Sequence, residues 1–175
     1  RRIASAAAAN VARLAFELGG KNPNLVLEDV DLALASDHAL NAVFYHAGQV
    51  CVSVQRVYVH SSLKDELTSR LVEAAKALKV GDPASADTEV GPLINPGEVD
   101  RVDEWVKEAV AGGAKVLCGG EKLSDTTYAC TVVENPPADA KLSKMEVFGP
   151  VVCVYTYDDL DDASRHNARE LAERL

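Results

Sequence analysis

The chain has 175 residues, of which 47% are apolar and 26% charged, the make-up of one globular domain with a buried core and not of a disordered or fibrous chain. Eighteen Lys and Arg against 27 Asp and Glu leave a net charge of −9, which repels phosphate backbones and anionic lipid surfaces, so neither a nucleic-acid nor a membrane partner is expected. Apolar runs fall well short of the ~20 residues of a membrane span, and no signal-peptide pattern opens the chain, so a cytoplasmic protein is expected. The start at Arg1-Arg2-Ile3, with no Met, reads as the edge of a longer polypeptide.

In chain order, the alanine-rich stretch 3–10 predicts a helix, and Val11 to Leu18 predicts a short strand ending at Gly19-Gly20. A buried strand follows over 24–28. Asp29 to Asp31 offer N-caps for a helix over about 31–46, stopped by Gly48. Strand 55–59 comes next, then a helix over about 63–78, capped by Ser61 or Ser62, with Leu63, Leu67, Leu71, Ala74, Ala75 and Leu78 at helical spacing. Asn95-Pro96 opens a helix over about 96–112 and Gly112-Gly113 closes it. Strand-like runs at 115–118, 129–133 and 151–157 lead into a last helical segment from Leu160 to Leu175. Strands alternating with helices argue for βαβ units: an α/β fold with a mostly parallel twisted sheet flanked by helices, in one domain over 1–175.

The four cysteines, Cys51, Cys118, Cys130 and Cys153, form no C-x-x-C pair and have no His at zinc-ligand spacing, so no metal site is expected. Cys118, Cys130 and Cys153 lie in strand-like runs, where Cys is a small core residue. Cys51 falls instead in the loop between the helix ending near Gly48 and the strand starting at Gln55. Loops on rigid scaffolds carry nucleophiles, and a thiolate there is stabilised by free backbone N–H groups. A packed thiol between Val50 and Val52 is the plain alternative. His46, five positions earlier, invites a Cys/His dyad of thiol-hydrolase type.

Two further segments carry candidate chemistry. In Phe16-Glu17-Leu18-Gly19-Gly20-Lys21 a carboxylate ends an apolar strand before a Gly pair. Such a Glu is either a solvated strand end or, in a partly apolar pocket, a general base with a raised pKa. In Met145-Glu146-Val147-Phe148-Gly149-Pro150, a Glu able to hold a ribose diol stands beside a Phe whose face supports a planar ring. No phosphate-binding Gly-rich motif accompanies them.

Taken together, Glu17-Leu18-Gly19-Gly20-Lys21, Gly48-Gln49-Val50-Cys51 and Glu146-Val147-Phe148-Gly149-Pro150 resemble, in order and separation, the signature segments of the aldehyde dehydrogenase superfamily. Asn22 to Asp29, Gln55 to His60, Gly81-Asp82-Pro83 and Gly91-Pro92 look like that family as well, so the resemblance runs to about residue 163. It implies a Cys51 thiolate that attacks an aldehyde to form a thiohemiacetal, oxidation by NAD or NADP to a thioester, and Glu17 as activator of the hydrolytic water. By the same resemblance Glu146 would hold the nicotinamide-side ribose, Phe148 would pack by the ring, Leu18 and Gly19 would line the nicotinamide end, and the Cys51 N–H would form half of an oxyanion hole. The partner implied is a small-molecule aldehyde, and the full-length enzyme would be a homo-oligomer. Met145 stands where the family has an acidic residue, His46 where Asn is frequent, Cys130 where Pro is common, and residues 164–175 depart from the pattern. The family's cofactor domain and oligomerising strands have no counterpart here, so the isolated chain is expected to turn over little or no substrate while keeping a modifiable Cys51. A non-catalytic binding or structural module derived from the family is the competing reading.

Overall fold

A computed structural model describes residues 2–164. Its strands and named α-helices follow in the order α1 (Arg2–Ala8), β1 (Asn22–Val26), α2 (Leu32–Phe44), β2 (Val54–His60), α3 (Lys64–Ala77), α4 (Pro96–Ala111), β3 (Lys115–Cys118), β4 (Thr131–Glu134), α5 (Lys141–Lys144) and β5 (Val151–Tyr157), with short 3-10 turns at Tyr45–Gly48 and Ser61–Leu63. The five strands form one sheet in the order β1-β2-β5-β4-β3. The pairs β1–β2, β2–β5 and β4–β5 run parallel, as the βαβ pattern predicts, and only β3 pairs antiparallel, to β4.

The central strands read as near-continuous apolar runs because both of their faces are covered. Val57 and Val59 of β2, Val132 and Val133 of β4, and Val151 to Val154 of β5 are all buried. Helices α2 and α3 pack on each other and on the sheet. Leu67, Leu71 and Ala75 form the inward stripe of α3, and Val99, Val102, Val106 and Ala109 that of α4. Cys118, Cys130 and Cys153 are buried in this core, as their strand contexts predict.

Local chemistry sets most boundaries. Asp31 Oδ1 accepts the Leu34 N–H at 3.1 Å, and Asn95 Oδ1 accepts the Glu98 N–H at 3.1 Å, so each caps its helix as predicted. Before α3 the cap differs: neither Ser61 nor Ser62 serves, and His60 Nδ1 accepts the Ser62 N–H instead, starting the tight turn that leads into the helix. The first strand forms two residues earlier than predicted, at Asn22, because the ladder begins where β2 offers Val54 as a partner. Helix α2 ends at Phe44, two residues short of the predicted end. His46, Ala47 and Gly48 turn into left-handed backbone with φ of 50°, 56° and 70°.

The strand predicted over Val11 to Leu18 does not form. Residues 13–21 run without regular structure, and Val11, Leu14, Phe16 and Leu18 are exposed. A strand exists only through a ladder, and no other described strand pairs with this segment. The predicted last helix falls largely on residues 165–175, outside the described residues. No described helix is long and apolar enough to cross a membrane.

Candidate active site

The three signature segments, far apart in sequence, meet where β1, β2 and the approach to β5 come together. The first contact is between the Gly19-Gly20 turn and Glu146. The Gly20 N–H donates to Glu146 Oε1 at 3.2 Å across 126 residues of chain. A Cβ placed on Gly19 would lie 2.5 Å from the Glu146 carboxyl carbon, so glycine at 19 is what lets the carboxylate lie against the backbone. Glu146 itself is half-buried, and Phe148, with φ of 50°, is 39% exposed at the outer side of the same bend.

The second contact joins the Cys51 loop to the Glu146 loop. Gly48 and Gly149 are both buried, and a Cβ on Gly48 would sit 2.7 Å from the Gly149 carbonyl carbon. From Gly48 the chain rises into the loop that exposes Cys51. Asn22, the first residue of β1, holds this loop from behind: its Nδ2 donates to the carbonyls of Cys51 at 2.7 Å and Ser53 at 3.1 Å. The Ser53 hydroxyl donates in turn to the carbonyls of Ala42 and Val43 at the end of α2. Gln49 links the loop to the segment before α4, donating to the Pro92 carbonyl at 3.1 Å and accepting the Ile94 N–H at 3.0 Å.

The four thiols are sharply unlike. Burial pushes Cys118 and Cys153 above the ordinary thiol range and Cys130 up to about 12, so these three stay protonated and inert at neutral pH. Cys51 is exposed. Its neighbours in sequence, Val50 and Val52, line a cleft of about 380 Å³ with mainly apolar walls, together with His38, Asn41, Ala42, Tyr45 and Ser53. With Cys51 exposed, the expectation of a packed thiol between Val50 and Val52 is not met.

Two other expectations meet a different geometry. The His46 ring packs edge-on against Tyr45, with centroids 4.2 Å apart, and no hydrogen bond joins it to Cys51. Glu17 stands exposed in the unpaired segment, as the solvated reading has it, although no strand ends there and no apolar pocket surrounds it. Leu18 is 75% exposed beside it. The structure therefore brings Gly19, Glu146 and the Cys51 loop into one framework, while Glu17 and Leu18 are exposed in the segment that leads to Gly19. Among the described residues no group of three or more His, Cys, Asp and Glu side chains is placed to hold a metal.

Several residues that organise the site escape a motif-based reading. Gln55, almost fully buried at the start of β2, accepts the Val147 N–H at 2.7 Å and the Lys21 ammonium at 3.2 Å, and donates to the Gly20 carbonyl at 3.0 Å. Arg56, also buried, donates to the Lys21 carbonyl at 2.7 Å. Arg101 of α4 donates to the Val147 carbonyl at 2.5 Å, is held by Glu98 at 2.6 Å, and lies over the Trp105 ring at 4.4 Å. A signal was available: two long polar side chains, Gln55 and Arg56, open an otherwise apolar strand. Polar groups buried there require partners.

The chain matches the model of the aldehyde dehydrogenase family over residues 1–172, and it belongs to that family. It is 40% identical over 168 residues to betaine aldehyde dehydrogenase of Bacillus subtilis, covering 93% of this chain and 34% of that one. It is 40% identical over 154 residues to 3-sulfolactaldehyde dehydrogenase of Priestia aryabhattai, covering 88% and 32%. Among solved structures, aldehyde dehydrogenase 21 from Physcomitrella patens, in complex with the reaction product succinate, aligns with a TM-score of 0.82 at 42% identity over 85% of this chain and 31% of that one. Betaine aldehyde dehydrogenase from Staphylococcus aureus, in complex with NAD+, aligns with a TM-score of 0.86 at 37% identity over 94% and 34%. The chain thus spans about a third of the length of the relatives it matches.

Proposed function

We propose that residues 1–175 form the catalytic portion of an NAD(P)-dependent aldehyde dehydrogenase, with Cys51 as nucleophile and Glu17 as the base that activates water. The observation that carries this reading is the convergence of the Gly19-Gly20 turn, the Glu146 loop and the exposed Cys51 loop, with an apolar cleft lined by Val50 and Val52, the residues on either side of Cys51. An aldehyde with an apolar body fits such a cleft, since its carbonyl carbon can face Cys51 while its chain rests on Val50, Val52 and Tyr45.

The Cys51 thiolate adds to the carbonyl carbon, its electron pair forming the C–S bond while the carbonyl oxygen takes up negative charge. The backbone N–H of Cys51 donates to that oxygen. Asn22 binds the Cys51 and Ser53 carbonyls and so keeps the loop from rotating when charge develops. A nicotinamide dinucleotide, when bound, would supply a two-electron hydride acceptor for this adduct, leaving Cys51 as its acyl thioester. Glu17 then takes a proton from water as the water attacks the thioester, and the acid leaves with Cys51 regenerated.

The residues present fit the nicotinamide-side ribose. Glycine at 19 leaves room beside the Glu146 carboxylate, whose Oε1 is steadied by the Gly20 N–H, and the remaining acceptor sites suit a vicinal diol. Glu146 would hold that diol, Phe148 would pack by the ring, and Leu18 with Gly19 would line the same end. The working enzyme is proposed to act on a small aldehyde and to assemble from like subunits.

Acyl loading without cofactor tests the assignment of the two catalytic residues. Treated with p-nitrophenyl acetate, the chain should acquire one acetyl group on the Cys51 peptide by mass spectrometry, and none when Cys51 is replaced by Ser. Glu17→Gln should slow loss of that acetyl by about 10²–10⁴-fold, the usual contribution of a general base. Acetyl spread over all four cysteines, or equal deacylation rates in wild type and Glu17→Gln, would refute the reading.

A further inference from the structure

We infer that Gln55 is a positioning residue that sets the Glu146 carboxylate over the Gly19-Gly20 turn and thereby tunes affinity for the nicotinamide-side ribose. The affinity half rests on the proposed function, whereas the positioning half stands on geometry alone. Gln55 is 1% exposed, and its side-chain amide spans the seam between two segments that both touch Glu146. On one side its Oε1 accepts the N–H of Val147, the residue next to Glu146, at 2.7 Å. On the other its Nε2 donates to the Gly20 carbonyl at 3.0 Å, while Oε1 also accepts from Lys21 Nζ at 3.2 Å.

Chemistry leaves one orientation for this amide. The Val147 N–H and the Lys21 ammonium only donate and the Gly20 carbonyl only accepts, so a reversed amide would put donor against donor and acceptor against acceptor. One rigid, planar group thus fixes the spacing between the Gly20 peptide and the Glu146–Val147 peptide. The hydrogen bond from the Gly20 N–H to Glu146 Oε1 closes the same ring of contacts. Glu146 is only half-buried, so its carboxylate would otherwise sample rotamers pointing to solvent. Arg101, holding the Val147 carbonyl at 2.5 Å, secures the next peptide along the chain, Val147–Phe148, so Gln55 acts on a segment with little slack.

Gln55→Glu separates these contacts. Its carboxylate still accepts from Val147 N–H and pairs with Lys21, but when ionised it has no hydrogen for the Gly20 carbonyl, and when protonated it regains one. Gln55→Met, of similar volume, removes all three bonds. The experiment measures amide hydrogen exchange of the chain, reading Gly20 and Val147 against the amides of β5 as a gauge of global stability.

In Gln55→Glu the Gly20 amide should lose about tenfold in protection on the alkaline side of the new carboxyl's titration and recover it on the acid side, while Val147 and β5 hold their wild-type values. In Gln55→Met both Gly20 and Val147 should lose protection relative to β5. Gly20 protection that follows β5 in both variants, or that shows no recovery on acidification in Gln55→Glu, overturns the inference. The binding arm uses NAD+ and NADP+ as probes, followed by Trp105 fluorescence. Wild type that binds one of them about tenfold more tightly than Gln55→Glu above the titration, with the gap closing below it, supports the link to affinity. Local exchange effects with no difference in dinucleotide binding overturn the affinity half while leaving the positioning half standing. Wild type that binds neither dinucleotide overturns the affinity half, while the proposed function stands or falls on the acyl-loading assay.

Discussion

Gly48 carries the contact between the nucleophile loop and the Glu146 loop, and Gly48→Ala tests whether that contact organises the site. Two effects combine at this position. The backbone is left-handed, with φ of 70°, where an L side chain costs about 1–2 kcal/mol. His46 and Ala47 already bear φ of 50° and 56°, so this strain alone does not forbid alanine. The decisive effect is the neighbour: the added Cβ lies 2.7 Å from the Gly149 carbonyl carbon, and backbone cannot swing aside as a side-chain tip can. Opening that gap to ordinary van der Waals contact pushes apart the loops bearing Cys51 and Glu146, with an overpacking cost of about 1–3 kcal/mol. The expected loss is about 2–5 kcal/mol in urea denaturation followed by far-ultraviolet circular dichroism, a large part of a domain's roughly 5–15 kcal/mol. Gly91→Ala is the control, since nothing lies within 4 Å of its added Cβ, and it should stay within about 0.5 kcal/mol of wild type. The rate of Cys51 alkylation by iodoacetamide should change in Gly48→Ala and stay constant in Gly91→Ala. A Gly48→Ala protein that unfolds with the control and labels like wild type would refute the reasoning.

The remaining expectations concern the core and the clamp behind Glu146. Cys130, with its thiol pushed up to about 12 by burial, is protonated in the fold where the unfolded chain's thiol ionises near its ordinary value. Its contribution is therefore complete below the unfolded thiol's ordinary range and is lost as pH rises from there towards 12, the loss amounting to about 1–2 kcal/mol by pH 10. Urea midpoints measured between these pH values should fall with a slope that Cys130→Ala lowers, and an unchanged slope would show that the thiol does not titrate on unfolding. Arg101→Lys keeps the charge but loses the forked donation to Val147 and Glu98 and the stacking on Trp105. It should cost about 1–2 kcal/mol and shift the emission of the chain's single tryptophan. Wild-type stability and emission together would show that lysine replaces the clamp.

Much of the architecture was legible in the residues alone because it rests on local chemistry and on periodicity. Asp31 and Asn95 cap the helices they precede, Gly112 closes α4, and the Val-rich run 151–157 is the central strand β5. The three inward cysteines were legible for the same reason, since small apolar residues in strand patterns go to the core. The family followed from three motifs in register, because spacing along one chain survives in sequence even when contacts do not show.

What only the tertiary structure decided were features that depend on a partner far along the chain. Val11 to Leu18 has the residues of a strand, yet a strand is a pair of chains, and no described strand adjoins it. His46 lies five positions from Cys51 in sequence, yet the left-handed turn at 46–48 sends its ring onto Tyr45. Gln55 and Arg56 look like misfits in an apolar strand, and only the packed fold supplies the donors and acceptors that make them the rear wall of the site. Local residues determined which segments became helix or strand and which side chains bore reactive chemistry. The meeting of Gly19, Gly48, Glu146 and Gly149 came from the fold, because close packing and hydrogen bonding between segments up to 126 residues apart depend on a three-dimensional fit that no local pattern encodes.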